Sequence, residues 1–355
     1  MSRISVQNVS KQFGSREIFK DLSFDIEENE FVALVGPSGS GKSTILNMIG
    51  LLDTVDSGKI LINGKVLPKV NSQSAVHYRR NVINYLFQSN ALISTSSVKD
   101  NLMLAMTFSN FSRQEKEQRI KETLEFVGLQ NRLNSKINEL SGGEQQRIAL
   151  ARSIVVNPGI LLLDEPLSNL DPKLRESMRF EIKRLQKEYN FTIVFVTHDQ
   201  SEALALSDRL LVMNKGEIIQ IGTPQELYNK PVNLFVHNFL GESNFTKVVY
   251  RDGKVYAEGD TTQPLPCTIQ HMDKAVKLAT RPSEIEINHE SGIKTKITKR
   301  IILSEYTEYY VSLATQELKI QAPHHQVLAV GDECYIRLVN PVYYDAEERN
   351  LTHAE

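Results

Sequence analysis

The chain has 355 residues, enough for two or three domains, and its 41 Lys and Arg residues nearly balance its 43 Asp and Glu residues, giving a net charge of −2. A chain this close to neutral has no bulk field that favours nucleic acid or an anionic membrane. Its two cysteines, Cys267 and Cys334, lie far apart and outside any metal-ligand spacing, which suits a reducing compartment. Since no apolar run approaches the ~18 residues of a membrane span, we expect a cytoplasmic protein that reaches a membrane only through a partner.

The chain opens with two stretches of alternating apolar and polar residues, 4–6 and 22–26, which predict strands. Between them, Phe13 directly precedes a turn at Gly14. An aromatic residue in this place is either a core side chain or a ring on which adenine stacks, and the residues alone leave both interpretations open.

The segment 36–44, Gly-Pro-Ser-Gly-Ser-Gly-Lys-Ser-Thr, stands between an apolar run at 31–35 and a helical stretch that begins at Ile45. This order is what a phosphate-binding loop requires, because the glycines allow a tight turn and the backbone N–H groups and helix dipole then face one anion. In such a loop Lys42 reaches the β- and γ-phosphates of a nucleotide, and the Ser43 hydroxyl ligates Mg²⁺.

A helical subdomain is predicted over about 89–155, after a strand at 82–88 that ends in Gln88. Within it, Ile120, Leu124 and Val127 share one helix face.

The segment 140–145, Leu-Ser-Gly-Gly-Glu-Gln, opens a further helix. Its two glycines expose backbone donors at a helix N-terminus, which predicts a second phosphate site, and Ser141 and Glu144 also fit a capping box. Both interpretations can hold at once.

Two carboxylates, Asp164 and Glu165, follow the apolar run 160–163. We expect them at the carboxyl end of a central parallel strand, where α/β sheets bind ligands. Asp164 there could hold a Mg²⁺-bound water, and Glu165 could polarise an attacking water. Further along, Asp171 is at least a helix N-cap. His198 follows a strand at 192–196, either as a surface residue or as a γ-phosphate contact.

From Asn244 onwards the helical patterns stop. Short alternating segments appear at 254–257, 275–279, 309–313, 318–321 and 333–339, separated by glycine-containing turns. This pattern predicts a small all-β domain of barrel type.

By its motifs, the region 1–240 resembles the ATP-binding subunit of ABC transporters. Residues 36–44 look like Walker A, 140–145 like the family signature, 160–165 like Walker B, 168–171 like the D-loop and His198 like the switch histidine, in the family's order. The resemblance implies an α/β P-loop NTPase fold over 1–240, with a RecA-like core and antiparallel β and helical subdomains, followed by an OB-like (TOBE) regulatory domain over 241–355.

The resemblance also implies roles for individual residues. Two copies would pair head to tail, so that ATP on the phosphate loop of one is capped by the signature of the other. Glu165 would act as general base, with His198 and Lys42 stabilising charge on the γ-phosphoryl group. The implied Mg²⁺ ligands are Ser43, Gln88 and Asp164. The implied nucleotide-binding residues are Phe13, Gly36, Pro37, Ser38, Gly39, Ser40, Gly41, Lys42, Ser43, Thr44, Gln88, Ser141, Gly142, Gly143 and Asp171.

The junction at 222–244 is similar to that of importer ATPases of the maltose, polyamine and ferric-iron type. This implies uptake through integral membrane permease subunits, an extracytoplasmic substrate-binding protein, no nucleic-acid partner, and a peripheral location on the cytoplasmic side of the membrane.

Two alternatives stay open from the sequence. The stretch 89–95 is closer to ATPases of lipoprotein or peptide export, so an efflux or mechanotransmission complex is the second hypothesis. A soluble ABC protein that acts on ribosomes or DNA is the third, but it should carry two ATP domains or a long coiled-coil insert, and the sequence shows neither.

Overall fold

A computed structural model describes residues 2–87, 91–267, 269 and 271–353. The chain divides into two compact units, Met1–Gln225 and Glu226–Glu355. Within the described residues, no helix is both long enough and apolar enough to cross a membrane.

The first unit combines strands and helices. Its strands are β1 (Ser2–Phe13), β2 (Arg16–Glu27), β3 (Phe31–Val35), β4 (Ser57–Ile62), β5 (Lys65–Val66), β6 (Ile83–Leu86), β7 (Ile160–Asp164), β8 (Thr192–Val196), β9 (Arg209–Asn214) and β10 (Glu217–Gly222). Its helices are α1 (Lys42–Ile49), α2 (Gln73–Asn81), α3 (Val98–Ala105), α4 (Arg113–Phe126), α5 (Gly142–Ile154), α6 (Pro172–Tyr189) and α7 (Gln200–Leu206).

The central sheet has the strand order β10-β9-β3-β8-β7-β6 across the described residues. Its strands run parallel except for the β9–β10 hairpin, and β3 and β8 are buried along their whole length. Apolar runs buried on both faces are what a covered parallel sheet requires. Because parallel strands end at one edge, the loops that follow β3, β7 and β8 come together there.

A second, antiparallel sheet of the first unit has the order β2-β1-β4-β5. Its inward residues, such as Ile4 and Phe24, share one hydrophobic cluster with Ile45 and Leu46 of α1. β1 is much longer than the sequence pattern at 4–6 indicates, because it pairs with β2 on one side and β4 on the other.

The inserted helices α3 to α5 begin at serine caps. Ser112 and Ser141 each form a capping box with the glutamate three residues on, so the capping box predicted at 141–144 is confirmed. Ile120, Leu124 and Val127 are buried, which confirms the predicted face.

The second unit is mainly antiparallel β structure. Its helices are α8 (Pro224–Asn229), which begins at the boundary, and α9 (Leu234–Phe239). Its strands are β11 (Asn244–Arg251), β12 (Lys254–Ala257), β13 (Lys277–Thr280), β14 (Ile285–Asn288), β15 (Ile293–Ile302), β16 (Thr307–Leu313), β17 (Gln316–Ala322), β18 (Glu333–Leu338) and β19 (Val342–Tyr344). Within the described part of the unit, they form sheets of order β12-β11-β13-β19 and β14-β18-β15-β16-β17 around one core. The all-β, OB-like character predicted for residues 241–355 is confirmed.

The division between units lies earlier than the expected boundary at 240. Leu234 packs with Ala279, Val342 and Tyr344, and His237 lies 2.7 Å from the Tyr344 hydroxyl. Residues 226–240 are therefore grouped with the β-rich unit rather than with the α/β unit.

Candidate functional site

The loop 36–44 turns tightly between β3 and α1. A side chain at Gly36 would place its Cβ 2.2 Å from the carbonyl oxygen of Met213 on β9, so only glycine fits there. Gly41, with φ of +101°, is the N-cap of α1, and among the described residues no side chain caps this helix and no acid lies in its first turn. The N-terminus of α1 is thus left to an external anion.

Lys42 is almost fully buried against its own loop. Its Nζ donates hydrogen bonds to the carbonyl oxygens of Gly36 and Pro37, both at 2.8 Å, and to Ser40 Oγ at 3.4 Å. Burial lowers the pKa of Lys42, while the nearby carboxylates of Glu165 and Asp164 oppose this shift. The lysine and both acids therefore occupy one electrostatic environment.

Ser43 and Asp164 meet across the edge of the sheet. Ser43 Oγ donates a hydrogen bond of 3.2 Å to Asp164 Oδ1. Burial raises the pKa of Asp164, and the charge of Glu165 acts in the same direction. A hydroxyl and a carboxylate are oxygen ligands of the kind Mg²⁺ prefers. Gln88, the third predicted ligand, lies outside the described residues.

Sequence reasoning missed Tyr85. Its hydroxyl donates to Asn47 Oδ1 at 2.8 Å and to Asp164 Oδ2 at 3.4 Å. The available signal was a phenol in β6, the strand that runs parallel to β7 with Tyr85 opposite Leu162.

Glu165 adopts a backbone conformation that is uncommon for a non-glycine residue, with φ of +48°. Its N–H donates to the Val196 carbonyl at 2.9 Å, and its Oε1 lies 3.1 Å from Nδ1 of His198. The ends of β7 and β8 are joined in this way, and the predicted base and switch histidine are neighbours. Such outliers concentrate at functional sites.

Gln146, which sequence reasoning also missed, is a buried side chain of α5. Its Nε2 donates to the carbonyl of Glu165 at 3.4 Å, and its Oε1 accepts from the N–H of Asn169 at 3.1 Å. The helix that starts at the signature therefore holds the D-loop next to Glu165.

A charged network connects α6 with the segment around His198. Arg175 donates from Nη2 to the Leu170 carbonyl at 3.1 Å, and its Nη1 lies 3.6 Å from Asp199. Behind it, buried Glu202 accepts from Thr197 Oγ1 at 2.7 Å, and burial raises the pKa of this carboxyl. The D-loop and the switch segment thus share one arginine.

Phe13 stands at the end of β1 with half of its surface exposed, so it is not a core side chain. The Lys11 ammonium lies 5.0 Å from its ring centroid. The following turn reaches the phosphate loop, since Arg16 Nη2 would lie 3.6 Å from a Cβ at Gly39.

Ser141, Gly142 and Gly143 lie on an exposed helix end. A Cβ at Gly142 would meet nothing within 4 Å. None of the hydrogen bonds found among the described residues links 141–143 to 36–44. Asp171 is the N-cap of α6, as predicted, and its Oδ1 accepts from the N–H of Leu174 at 3.0 Å.

The structure therefore brings Lys42, Ser43, Asp164, Glu165 and His198 to one edge of the central sheet. A loop that offers backbone donors to an anion and a set of acids beside it define an ATP-hydrolysing protein of the phosphate-loop class.

Comparison with known proteins identifies the family. Residues 19–168 match the family described as ABC transporter. The spermidine/putrescine import ATP-binding protein PotA of Mycoplasma mycoides subsp. mycoides is 39% identical over 291 residues, which cover 81% of this chain and 81% of that protein. The PotA of Acetivibrio thermocellus is 40% identical over 308 residues, 86% of each chain. This chain belongs to the ABC transporter family of ATP-binding proteins, and it is an importer-type ABC ATPase.

Solved structures agree with this assignment. The dimeric structure of MJ0796, a bacterial ABC transporter cassette, is 35% identical with a TM-score of 0.58, covering 62% of this chain and 98% of that one. A post-hydrolysis dimer of the same cassette, bound to ADP and Pi, is 34% identical with a TM-score of 0.58 over the same shares of the two chains. The two PotA relatives are named as import ATP-binding proteins, which favours import over the export alternative.

Proposed function

We propose that the chain hydrolyses Mg-ATP in a head-to-tail dimer and powers polyamine uptake through a partner permease at the cytoplasmic side of a membrane. The proposed hydrolysis is supported by one cluster of side chains at an edge of the central sheet: Lys42, Ser43, Asp164, Glu165 and His198. We also propose that hydrolysis resides in residues 1–240 and that residues 241–355 regulate it.

Phosphate binding uses donors that are already in place. The uncapped N-terminus of α1 receives the phosphate oxygens. Lys42 donates to two loop carbonyls in the structure, and its ammonium turns towards the phosphate oxygens when the nucleotide binds. Phe13 offers an exposed ring to the adenine base, as its position at the rim supports.

The residues present fit a magnesium ion. Ser43 and Asp164 supply a hydroxyl and a carboxylate 3.2 Å apart, and Gln88 is the third proposed ligand. Mg²⁺ typically takes one or two protein oxygens and completes its shell with phosphate and water. When bound, it would neutralise charge on the phosphate oxygens.

Glu165 is the proposed general base towards water. Its left-handed backbone and the contact with His198 hold the carboxylate at the sheet edge, beside Lys42. His198 and Lys42 stabilise the charge that develops on the γ-phosphoryl oxygens. Arg175 and Gln146 keep the D-loop and switch segment in register with Glu165.

The second half of each site comes from a second copy. Ser141, Gly142 and Gly143 present an exposed helix N-terminus in their own chain, where Gly142 has open space above its Cα. A γ-phosphate of the partner's ATP would lie against these donors, with Asp171 nearby on the D-loop side.

The permease is proposed to dock in a groove of about 550 Å³ in the first unit. The exposed apolar side chains of Phe87, Leu104 and Phe108 line it. A cluster of exposed apolar side chains at a groove is typical of a site that binds another protein.

The transport claim is tested by affinity purification of the full chain from its source membrane, followed by reconstitution of the recovered complex in liposomes. Any substrate-binding protein that was recovered is added back to the liposomes. ATP-dependent uptake of labelled spermidine is then expected. Lys42→Ala should abolish both uptake and ATP hydrolysis. A complex that hydrolyses ATP but transports no polyamine would overturn the substrate assignment and leave the ATPase assignment intact.

A further inference from the structure

We propose that the second unit contains a binding pocket for a small metabolite that carries an oxyanion, either a carboxylate or a phosphate. A cavity of about 380 Å³ lies within residues 226–355. Arg281, His237, Lys230 and Glu284 are among the residues that line it. The ATPase mechanism uses none of these residues.

The guanidinium of Arg281 is a buried charge at the cavity: the residue is 2% exposed and lines it. Its Nη1 donates to the Gly241 carbonyl at 2.6 Å and to Ser243 Oγ at 2.9 Å, and its guanidinium stacks on Tyr228 at 4.5 Å. A Cβ at Gly241 would come within 3.0 Å of Nη1, so glycine is needed for this approach. The other terminal nitrogen, Nη2, is buried without a hydrogen-bond partner in the described structure.

A buried guanidinium of this kind is unusual, because buried charges are normally paired. Among the described residues, no carboxylate forms an ion pair with Arg281. Burial lowers the pKa of Arg281, but a guanidinium stays charged in proteins. The donor nitrogen Nη2 and the positive charge of Arg281 are therefore available to a ligand.

His237 is a second buried polar side chain that lines the cavity. It is also 2% exposed, its Nδ1 lies 2.7 Å from the Tyr344 hydroxyl, and its Nε2 has no partner in the described structure. In the tautomer in which Tyr344 donates to Nδ1, the ring carries its proton on Nε2. Two unpartnered nitrogens from different elements thus line one cavity.

The charges around the cavity select the sign of the ligand. Arg281 and Lys230 are cations of the lining, and Glu284 is its carboxylate. The charge of Glu284 acts on Arg281, and its Oε1 accepts a hydrogen bond from Asn340 Nδ2 at 3.1 Å, so the positive charges of the lining outnumber the negative one. A polyamine or metal cation would be repelled by Arg281 and Lys230 and would find one carboxylate, that of Glu284. An anion would instead satisfy a charge that is already buried.

The size and walls of the cavity indicate an organic ligand rather than a bare ion. A volume of about 380 Å³ lies in the range of small-molecule pockets. Ile269, Pro341 and Val342 provide apolar wall surface beside the polar nitrogens.

The test is isothermal titration of the full-length protein with two probes, succinate for the carboxylate and glycerol phosphate for the phosphate. The phosphate titration uses the Lys42→Ala background, which removes binding at the phosphate loop. We expect saturable binding of one probe at one site per chain, and the probe that binds identifies the source of the oxyanion.

Two variants locate the binding. Lys230→Glu reverses a charge at the cavity and should weaken binding about tenfold or more, whereas Lys254→Glu makes the same charge change on exposed β12 and should have no effect. Arg281→Lys keeps the charge but removes the second nitrogen and should also weaken binding about tenfold; Lys230→Glu decides alone if that variant misfolds. Absence of saturable binding by both probes, or equal binding in Lys230→Glu and Lys254→Glu, would overturn the proposal and assign Arg281 a structural role only. Neither result bears on the ATPase assignment, because that assignment rests on Lys42, Asp164 and Glu165 of the first unit.

Discussion

The hydroxyl of Tyr85 lies between Asn47, on the helix after the phosphate loop, and Asp164, at the end of β7, at 2.8 and 3.4 Å. Burial raises the pKa of Tyr85, so its hydroxyl remains protonated and donates. The same ring stacks on Phe87 with centroids 4.4 Å apart, and both residues line the proposed permease groove. Tyr85 is therefore in contact with both the carboxylate of the proposed magnesium site and the proposed docking surface.

Tyr85→Phe should lower ATP turnover about fivefold, which corresponds to the ~1 kcal/mol of one hydrogen bond. It should also shift the acid limb of the pH–rate profile to higher pH. The hydrogen bond from Tyr85 stabilises the ionised form of Asp164, so its loss raises the pKa of Asp164 further. Steady-state ATPase assays across pH check this. Tyr78→Phe, a partly buried tyrosine of α2 that packs on the core, is the control, and identical profiles for the two variants would contradict the assigned role.

Glu165→Gln should keep ATP binding and reduce turnover by on the order of a hundredfold or more, because the amide cannot accept a proton from water. Nucleotide affinity and single-turnover rates separate the two effects. Glu176→Gln, exposed on α6, is the matched control and should behave like the unsubstituted protein. Turnover near normal in Glu165→Gln would remove this residue from the role of base.

Gly143→Asp should prevent ATP-dependent dimerisation while ATP binding to the monomer persists. A Cβ at this position meets only Leu170 at 3.6 Å and Asn169 at 3.9 Å, so the chain itself accommodates a side chain. The carboxylate, however, would face the phosphates held by the other copy. Gly143→Ala is the uncharged control, and sedimentation with and without ATP measures the dimer. If Gly143→Asp lost monomer affinity as severely as Lys42→Ala, the signature would act within its own chain.

His237 should make the second unit sensitive to acid. Burial, with the nearby charge of Arg281, lowers the pKa of His237 to about 3, whereas an unfolded histidine titrates near ~6.5. The unfolded chain then binds the proton more readily, so the stability from neutral His237 is fully present above pH ~6.5 and is lost as pH falls, by about 1.4 kcal/mol per pH unit.

Hydrogen exchange of β13 and β19 between pH 7.5 and 5, in buffers without carboxylate or phosphate, measures this loss after correction for the intrinsic exchange rates. His237→Gln should be less stable at pH 7.5 but flatter with pH. His289→Gln, at an exposed position after β14, should keep the slope of the unsubstituted protein. A slope unchanged in His237→Gln would assign the acid sensitivity to other groups.

Short-range chemistry is what the sequence by itself determined. The phosphate loop, the capping box at Ser141 and the N-cap at Asp171 each depend on contacts within a few residues, so their residue types and spacing suffice to predict them. The apolar runs that became β3 and β8 were equally readable, because a strand buried on both faces needs an unbroken run. The order of the motifs then identified the family.

Tertiary structure alone decided which distant side chains meet. Tyr85 reaches Asp164 across 79 positions, and Arg281 reaches Gly241 across 40, through the pairing of strands and not through any local pattern. The boundary between units moved to 225 because Leu234 and His237 are buried against strands more than 40 residues further along the chain. Such contacts depend on how separate elements pack, and hydrophobic periodicity reports only the face that each element buries.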